Sequence, residues 1–290
     1  MRVLVTGAKG QLGQDLVNFL EQANHNVIGC DRDTLDITDQ VACLDQVLNL
    51  KPDAIIHCAA YTAVDQAEGD IDSAYAVNAV GTRNMVVAAE RIGAKFCYIS
   101  TDYVFDGTSE MPYHEYDNTN PQSIYGKSKR AGENLVTSLS TQYFIVRTSW
   151  VYGLHGNNFV KTMLRLGSEK PEISVVNDQK GSPTYTVDLA GFLLELITTE
   201  KYGIYHASNS GECTWYEFAQ AIFEEAAAIG KSFSIQVNPC TTEDFPRPAP
   251  RPRNSVMEHL SIRTNGFKDI RSWREGLRDF LKELQAAESD

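Results

Sequence analysis

The sequence predicts an α/β fold in which a parallel β-sheet is covered by helices on both faces. Short apolar runs such as Val3–Val5 alternate with longer amphipathic stretches along the first half of the chain. These apolar runs are continuous, which is typical of parallel strands that are buried on both faces. With 290 residues, of which 42% are hydrophobic, the chain is long enough and apolar enough to bury a substantial core.

Five apolar runs are predicted as strands of this sheet: Val3–Val5, Asn26–Asp31, Ala54–Ala60, Lys95–Ser100 and Tyr143–Arg147. Helices are predicted between them, from Gly13 through Leu20, around Leu44–Leu48 and over Ala74–Ile92. Ile173–Val176 is a candidate for a further strand, and Trp273–Leu284 for an amphipathic terminal helix. Pro246–Arg253 has proline at alternate positions and is predicted to be irregular, because proline lacks an amide donor.

The strand–helix alternation weakens beyond about residue 150, which predicts a second, smaller domain. We expect residues 1–150, joined again by about 172–206, to form the larger domain. Residues of about 151–171 and 207–290 would form the smaller one.

Charge and composition narrow the classes of partner. The net charge of -12 argues against binding a nucleic-acid polymer. No apolar stretch approaches the length of a membrane span, and the N-terminus does not read as a signal peptide. None of the six cysteines has C-x-x-C spacing, so they are predicted as thiols in a reducing compartment rather than zinc ligands. We therefore expect a cytoplasmic protein with no membrane partner.

A glycine-rich turn follows the first predicted strand and opens the first predicted helix. Gly7, Gly10 and Gly13 are spaced three residues apart, with Gln11 and Leu12 between the last two. Glycine lets the backbone approach a pyrophosphate closely, and the helix N-terminus stabilises its charge. The turn predicts a Rossmann-type, doubly wound sheet whose larger domain binds NAD(P), while the smaller C-terminal domain binds the substrate.

The end of the second predicted strand bears on the choice of cofactor. Asp31 can accept hydrogen bonds from a ribose 2′-hydroxyl, which favours NADH. Arg32 can instead face a 2′-phosphate, which favours NADPH, so both cofactors stay open at this point. Asp36 and Ile37 follow and are candidates to lie along the adenine edge.

Tyr125 and Lys129 are four residues apart and would share one face of a helix. A nearby ammonium group lowers the pKa of a tyrosine, which suits the phenol to proton transfer near neutral pH. Thr101 and Asp102 end the fourth predicted strand, at the sheet edge where α/β proteins bind ligands. Thr101 could hydrogen-bond a substrate oxygen beside Tyr125.

Together these residues resemble the extended branch of the short-chain dehydrogenase/reductase superfamily. The motifs that carry the resemblance are Gly7-x-x-Gly10-x-x-Gly13, Ala59-Ala60, Asn78-Ala79-Val80-Gly81-Thr82, Ser100-Thr101-Asp102 and Tyr125-x-x-x-Lys129. The resemblance implies that Tyr125 is the general acid/base and that Lys129 holds the nicotinamide ribose. It also implies that Thr101 supplies the hydroxyl beside the tyrosine and that Asn78 completes a proton relay.

Further motifs narrow the resemblance to the dTDP-4-dehydrorhamnose reductase family. They include Leu35-Asp36-Ile37-Thr38-Asp39, Tyr61-Thr62-Ala63-Val64-Asp65, Tyr103-Val104-Phe105-Asp106-Gly107, Arg147-Thr148-Ser149-Trp150 and Arg251-Pro252-x-x-Ser255. This family reduces the C4 ketone of a dTDP-sugar with hydride from NADPH or NADH. The resemblance places Ala59, Ala60, Tyr61 and Thr62 along the cofactor.

The same resemblance implies a set of substrate contacts. Trp150 would pack on the sugar, Thr101 and Asp102 would lie beside it, and Arg251 and Arg253 would pair with the substrate diphosphate. Members of the family have been associated with Mg²⁺ at a subunit contact, and Asp15 corresponds to one acidic residue there. The other acidic residues of that contact cannot be placed in the sequence, so Mg²⁺ is possible but has no assigned ligand set. The chain is expected to be a monomer or a homodimer.

Two alternatives are open at this stage. One is an epimerase or dehydratase of the same branch, since Asp102 occupies the position of a dehydratase acid, although Tyr103 replaces the glutamate expected after it. The other is a binding protein similar to the regulatory subunits of methionine adenosyltransferase. The intact set of Thr101, Tyr125 and Lys129 argues against a purely binding role.

Overall fold

The computed structural model describes residues 1–288 and confirms the predicted α/β fold. The strands are β1 (Arg2–Thr6), β2 (Asn26–Cys30), β3 (Ala54–His57), β4 (Lys95–Thr101), β5 (Tyr143–Thr148), β6 (Val151–Tyr152), β7 (Glu172–Val176), β8 (Lys180–Gly181), β9 (Thr184–Tyr185), β10 (Gly203–His206), β11 (Cys213–Thr214) and β12 (Gln236–Cys240). The helices are α1 (Gln11–Gln22), α2 (Gln40–Leu50), α3 (Val64–Ala67), α4 (Ile71–Tyr75), α5 (Thr82–Ile92), α6 (Ile124–Leu139), α7 (Phe159–Glu169), α8 (Thr186–Ile197), α9 (Trp215–Ala228), α10 (Leu260–Thr264) and α11 (Trp273–Ala287).

Six parallel strands form the central sheet in the order β10-β5-β4-β3-β1-β2. The chain runs outward from β1 to β2 and then returns to the other side of β1 to form β3. The direction of winding therefore reverses between β1 and β3, and ligands of open α/β sheets bind outside the carboxyl ends of the strands at such a point.

Alternate residues of β1 face the two helical layers. Val3 and Val5 belong to one core with Leu16 of α1 and Leu193 of α8. Leu4 points the other way, into the core that α2 and α5 cover. Burial on both faces explains why the strand sequence is continuously apolar.

The helix predicted over Ala74–Ile92 is interrupted. α4 ends at Tyr75, a π-helical turn occupies Ala76–Gly81, and α5 begins at Thr82. Gly81 lies against Ile37, where an added Cβ would come within 2.7 Å of the isoleucine Cδ1. The turn buries the side chain of Asn78, and it was not visible in the apolar periodicity.

The second half of the chain departs from the prediction at one strand. Ile173–Val176 does form most of β7, but β7 pairs with β12 in a separate two-stranded parallel sheet. The sixth central strand is instead β10, and α8 packs beside α1 on the central sheet. Within the segment 172–206 that was expected to rejoin the larger domain, α8 and β10 therefore lie on the central sheet and β7 does not. The remaining domain boundaries stay a prediction.

The second half of the chain has its own aromatic core, in which Tyr152 packs with Phe218 of α9 and Phe280 of α11. α11 confirms the predicted terminal helix, and Pro246–Arg253 has no regular secondary structure. No helix within residues 1–288 combines the length and the apolar character that are needed to cross a bilayer.

A buried ion pair joins α6 to β5. The Arg147 guanidinium donates to both carboxylate oxygens of Glu133, at 2.8 and 2.9 Å, and the Ser100 hydroxyl donates to Oε1 at 2.6 Å. The arginine is 1% exposed and the glutamate 0%. Burial by itself would raise the pKa of Glu133, but the hydrogen bonds from Arg147 and Ser100 and the positive charges nearby hold it below its ordinary value.

Replacing Arg147 with methionine would leave the Glu133 carboxylate buried without its main cationic partner. We expect Arg147→Met to lower the free energy of unfolding by about 3–5 kcal/mol, measured by urea denaturation. The double variant Glu133→Leu/Arg147→Met removes both charges and should recover part of that loss. A loss of about 1 kcal/mol or less in the single variant, as for a surface ion pair, would contradict the prediction.

Candidate active site

A cavity of about 1800 Å³ lies along the carboxyl ends of β1 to β5 and continues between α7 and β7. Most residues predicted from the sequence line it, and the structure brings them together. They are Gly7, Gly10, Gln11, Leu12, Gly13, Asp31, Arg32, Asp36, Ile37, Ala59, Ala60, Tyr61, Thr62, Thr101, Asp102, Tyr125, Lys129, Trp150 and Arg251.

The glycine turn forms a cradle that has no room for side chains. Gly7 has φ +67°, and an added Cβ would lie 2.8 Å from the Ala59 amide nitrogen. A Cβ on Gly13 would lie only 2.1 Å from the Gly7 carbonyl oxygen. Backbone atoms alone therefore separate the β1–α1 turn from the end of β3 and from the start of α1. Amide groups in this position fit a dinucleotide pyrophosphate.

Asp31 and Arg32 both lie at the far end of this cradle. The Asp31 carboxylate accepts from the Lys9 backbone amide at 2.7 Å and from its neighbour Arg32 at 3.0 Å. These bonds fix its direction while leaving lone pairs for a ribose hydroxyl. The Arg32 side chain is exposed. The site therefore offers both the Asp31 carboxylate and the exposed Arg32 cation to the 2′ position of a ribose.

Asn78 does not line the cavity, and its expected part in a proton relay stays a prediction. Its Oδ1 accepts from the Tyr61 amide at 2.8 Å, and its Nδ2 donates to the Tyr61 carbonyl at 3.0 Å and to the Ser128 hydroxyl at 2.9 Å. The side-chain amide has used both its donor hydrogens in these bonds. The Asn78 side chain therefore links α6 to the segment after β3, which lines the cavity.

One face of α6 carries the residues predicted for proton transfer. Tyr125, Lys129 and Glu133 follow at intervals of four, so they form one stripe along the helix. Two glycines let α6 approach its neighbours: a Cβ on Gly126 would lie 2.2 Å from the Tyr103 carbonyl oxygen, and one on Gly132 would lie 2.4 Å from the Tyr98 hydroxyl. The stripe is thereby pressed against β4.

Lys129 is buried beside β4. Its ammonium group donates to the Ile99 carbonyl at 2.7 Å and lies 4.1 Å from the centre of the Tyr98 ring. Burial lowers the pKa of Lys129 to about 7, although Glu133 opposes the shift. The amine therefore exchanges its proton near neutral pH.

The pKa of Tyr125 runs opposite to the sequence expectation. Burial raises that pKa above its ordinary value, although the Thr101 hydroxyl opposes the shift. Tyr125 is consequently protonated at neutral pH, which is the state that a proton donor requires.

A second acid lies beside the tyrosine. Asp102 Oδ1 accepts from the Thr101 hydroxyl at 2.9 Å, whereas its buried Oδ2 has no hydrogen-bond partner. Burial raises the pKa of Asp102 to about 6, and nearby hydroxyl groups partly offset this. Asp102 lines the cavity, and its place beside the substrate stays a prediction, because Oδ2 itself is shielded from solvent.

Trp150 occupies a strained position at the cavity wall. It has φ +47°, which is uncommon for a bulky residue and occurs where surrounding structure enforces it. Its ring stacks on Trp215 with centroids 3.5 Å apart and planes 8° apart. Both tryptophans line the cavity. One face of Trp150 is therefore taken by Trp215, and contact with a sugar falls to the remaining ring surface.

The proline-rich segment contributes different arginines from the pair predicted. Arg251 and Arg247 line the cavity, whereas Arg253 does not and its side chain is exposed. Arg251 forms an ion pair with Asp65 at 2.9 Å, and Arg247 approaches the same carboxylate at 3.8 Å. Arg247 and Arg251 therefore converge on one carboxylate at the cavity, and a role of Arg253 at the diphosphate stays a prediction.

Several cavity residues were missed from the sequence, among them Arg247, Phe245, Tyr103 and Trp215. Arg247 belongs to the proline-rich segment already singled out, and Phe245 directly precedes that segment, so the alternation with proline could have indicated Arg247. Tyr103 follows Asp102 directly, and its ring packs edge-on against Tyr125 with centroids 5.6 Å apart. Trp215 begins α9, far from every motif, and no local signal identifies it.

Asp15 offers little to a metal ion. It is buried, accepts a hydrogen bond from Thr186 and lies 3.5 Å from His155 Nε2. Within residues 1–288, no group of three or more His, Cys, Asp or Glu side chains is placed to hold a metal. Mg²⁺ therefore has no assigned ligands in this chain.

Comparison with known proteins gives one family. The model of the RmlD substrate binding domain matches residues 1–286. The spore coat polysaccharide biosynthesis protein SpsK of Bacillus subtilis is 46% identical, over 99% of both chains. The dTDP-4-dehydrorhamnose reductase of Aggregatibacter actinomycetemcomitans is 42% identical, over 96% of this chain and 97% of the relative.

Solved structures agree with these relatives. A dTDP-4-dehydrorhamnose reductase from Bacillus anthracis, in complex with NADP, superposes with a TM-score of 0.94 at 50% identity, over 97% of this chain and 99% of that one. The corresponding protein from Clostridium acetobutylicum gives a TM-score of 0.95 at 46% identity, over 98% and 100%. The chain belongs to the RmlD family, together with the dTDP-4-dehydrorhamnose reductases that it resembles along nearly its whole length.

Proposed function

We propose that the protein reduces the C4 ketone of dTDP-4-dehydro-L-rhamnose (dTDP-6-deoxy-L-lyxo-4-hexulose) to give dTDP-L-rhamnose, with NADPH or NADH as reductant. The observation that carries the proposal is the convergence of Tyr125, Thr101 and Lys129 at the carboxyl end of β4, in one cavity with the glycine cradle. Relatives with 37–50% identity that carry the name dTDP-4-dehydrorhamnose reductase support it.

The residues account for the proton in this reaction. The bound dinucleotide supplies a hydride, which adds to C4 and leaves negative charge on the former carbonyl oxygen. Tyr125, kept protonated by its raised pKa, donates the phenol proton to that oxygen, and Thr101 can stabilise it by a hydrogen bond. Lys129 then stabilises the resulting phenolate by its charge and binds the ribose hydroxyls.

The rest of the cavity suits a nucleoside diphosphate sugar. Arg251 and Arg247 provide positive charge for the diphosphate, while the stacked pair of Trp150 and Trp215 forms an apolar wall. A product of this kind would enter polysaccharide synthesis, in keeping with the similarity to SpsK, a spore coat polysaccharide biosynthesis protein. The six cysteines are all free thiols, which supports a cytoplasmic location.

Both alternatives lack a supporting observation in the cavity. A dehydratase needs a second acid after Asp102, but Tyr103 is there and its hydroxyl contacts Arg251. The likeness to UDP-glucose 4-epimerase of Thermus thermophilus is at 23% identity and concerns the fold alone. A regulatory binding protein would not require Tyr125, Thr101 and Lys129 to be placed together at the cavity.

Purified protein should consume NADPH when the 4-keto dTDP-sugar is added. Tyr125→Phe removes the donated proton but keeps the ring, so we expect kcat to fall by about 10²–10⁴-fold while the Kd for NADPH stays within about threefold. Absorbance assays of NADPH oxidation measure kcat, and fluorescence titration with NADPH measures its Kd. The reductase assignment fails if the wild-type protein consumes no cofactor with this substrate, or if the variant keeps its full rate.

The cofactor preference should depend on Asp31 and Arg32 in opposite directions. Arg32→Ala removes the cation available to a 2′-phosphate, so the ratio of kcat/KM for NADPH over NADH should fall about tenfold. Asp31→Ala removes both the acceptor for a 2′-hydroxyl and the repulsion of a 2′-phosphate, so the same ratio should rise. Asp45→Asn, on the exposed side of α2, is the matched control. Equal ratios in all four proteins would overturn the assignment of this end of the cavity.

A further inference from the structure

One carboxylate holds the proline-rich segment across the cavity. We call residues 245–253 the strap. Asp65 Oδ2 accepts from Arg251 at 2.9 Å and lies 3.8 Å from Arg247, while Oδ1 accepts from the Ala249 backbone amide at 3.3 Å. Asp65 is on α3, which follows the cofactor-facing segment after β3. It therefore links the cofactor side of the cavity to the strap on the substrate side.

At its C-terminal end the strap is also anchored by the Arg253 carbonyl, which accepts from the Lys180 amide at 2.8 Å. The strap forms no helix or strand, and all its residues but Ala249, Arg251 and Pro252 are exposed, whereas Ala249 is 1% exposed. Phe245 is 50% exposed, and the Arg247 Cζ atom lies 4.6 Å from the centre of the Phe245 ring. Proline at alternate positions removes backbone donors, so the Ala249 amide is one of few that can fasten this segment.

Charge at the strap matches a diphosphate. Arg247 and Arg251 carry two positive charges, and Asp65 neutralises one of them. The remaining positive charge lies at the cavity wall, where the Phe245 ring is next to Arg247 and the Tyr103 ring is next to Arg251. Arg251 has five N–H donors, of which the bonds to Asp65 and to the Tyr103 hydroxyl occupy two. Further donors are free for phosphate oxygens, already held in one orientation.

The same arginine reaches the catalytic tyrosine through one ring. Arg251 Nη1 donates to the Tyr103 hydroxyl at 3.2 Å, and the Tyr103 ring contacts Tyr125 edge-on. The order of contacts is Asp65, Arg251, Tyr103, Tyr125. The Tyr103 side chain therefore connects Arg251, and a diphosphate bound to it, with the proton donor Tyr125.

We propose that Asp65 is a positioning residue that holds the strap over the cavity and presents Arg251, with Arg247, to the diphosphate of a nucleoside diphosphate sugar. The inference rests on the proposed function for the identity of that ligand. Asp65 does not touch the reacting atoms. Its effect is to reduce the ordering cost of binding, because the arginine and the strap are in place before the substrate arrives.

Asp65→Asn keeps the shape of the side chain and removes the charge that anchors the strap. With saturating NADPH, we expect KM for the dTDP-sugar and the inhibition constant of dTDP to rise about tenfold. kcat and the KM for NADPH should change less than about twofold, since the cofactor cradle is formed by the glycine turn. Asp72→Asn, an exposed acid of the neighbouring α4, is the matched control and should leave all these constants unchanged.

Hydrogen exchange without any ligand provides a second readout. The peptide that contains Arg247, Ala249 and Arg251 should exchange faster in Asp65→Asn than in the wild type or in Asp72→Asn, while peptides of the central sheet stay unchanged. This separates a loosened strap from general destabilisation.

Three outcomes would overturn the inference: unchanged KM with unchanged strap exchange, a lower KM, or a parallel loss of kcat with faster exchange throughout the protein. A lower KM would mean that Asp65 competes with the diphosphate for Arg251. If the wild type does not reduce the 4-keto sugar, yet Asp65→Asn weakens dTDP binding and frees the strap, the proposed function fails and the role of Asp65 stands.

Discussion

The buried pair of Glu133 and Arg147 is the interaction on which the active site depends. Neither charge is stable in the core alone, so the two side chains must meet, and this sets the rotation of α6 against β5. Lys129 and Tyr125 lie on the same face of α6 as Glu133, one and two turns further toward its N-terminus, respectively. Their direction follows from that rotation.

Arg147 also ties distant segments to this point. It donates to the Glu115 carbonyl and lies 3.3 Å from His206 Nε2, while Ser261 donates to the Glu115 carboxylate. β5, β10, the loop after β4 and the start of α10 therefore meet behind the cavity. Changes in this polar cluster would reach α6 directly, although none of its members lines the cavity.

Backbone proximity and local charge explain how an acidic protein can bind anions. The glycine cradle brings amide groups and the start of α1 together, and the strap adds Arg251 and Arg247 on the opposite wall. Both devices act over a few ångströms, so the net charge of -12 has little influence on them. The overall charge disfavours a long polyanion but leaves two diphosphate positions accessible.

Much of this was predictable because the relevant signals are local. Continuous apolar runs identified β1 to β5, and the spacing of Gly7, Gly10 and Gly13 indicated the cradle. β10 was missed because Gly203–His206 is short and begins with glycine. The hydrogen bonds of Asn78 to Tyr61 and Ser128 and the stacking of Trp150 on Trp215 are contacts between segments that are far apart in the chain. No periodicity reports such contacts.

The raised pKa of Tyr125 shows a second limit of prediction from sequence. Four-residue spacing correctly placed Lys129 on the same helix face, but it carried no information about the Ile99 carbonyl that receives the ammonium hydrogen bond. Desolvation then raises the tyrosine pKa instead of lowering it. Spacing can identify which side chains are neighbours, whereas their protonation depends on burial and on partners from other strands.

The most direct test of the account is to follow the hydride. The 4-keto dTDP-sugar should be incubated with the protein and with NADPH that carries deuterium at the transferable position of the nicotinamide, and the product examined by NMR. The account predicts dTDP-L-rhamnose with deuterium at C4. A product with deuterium at another carbon, a product epimeric at C4, or recovery of unlabelled substrate would contradict it.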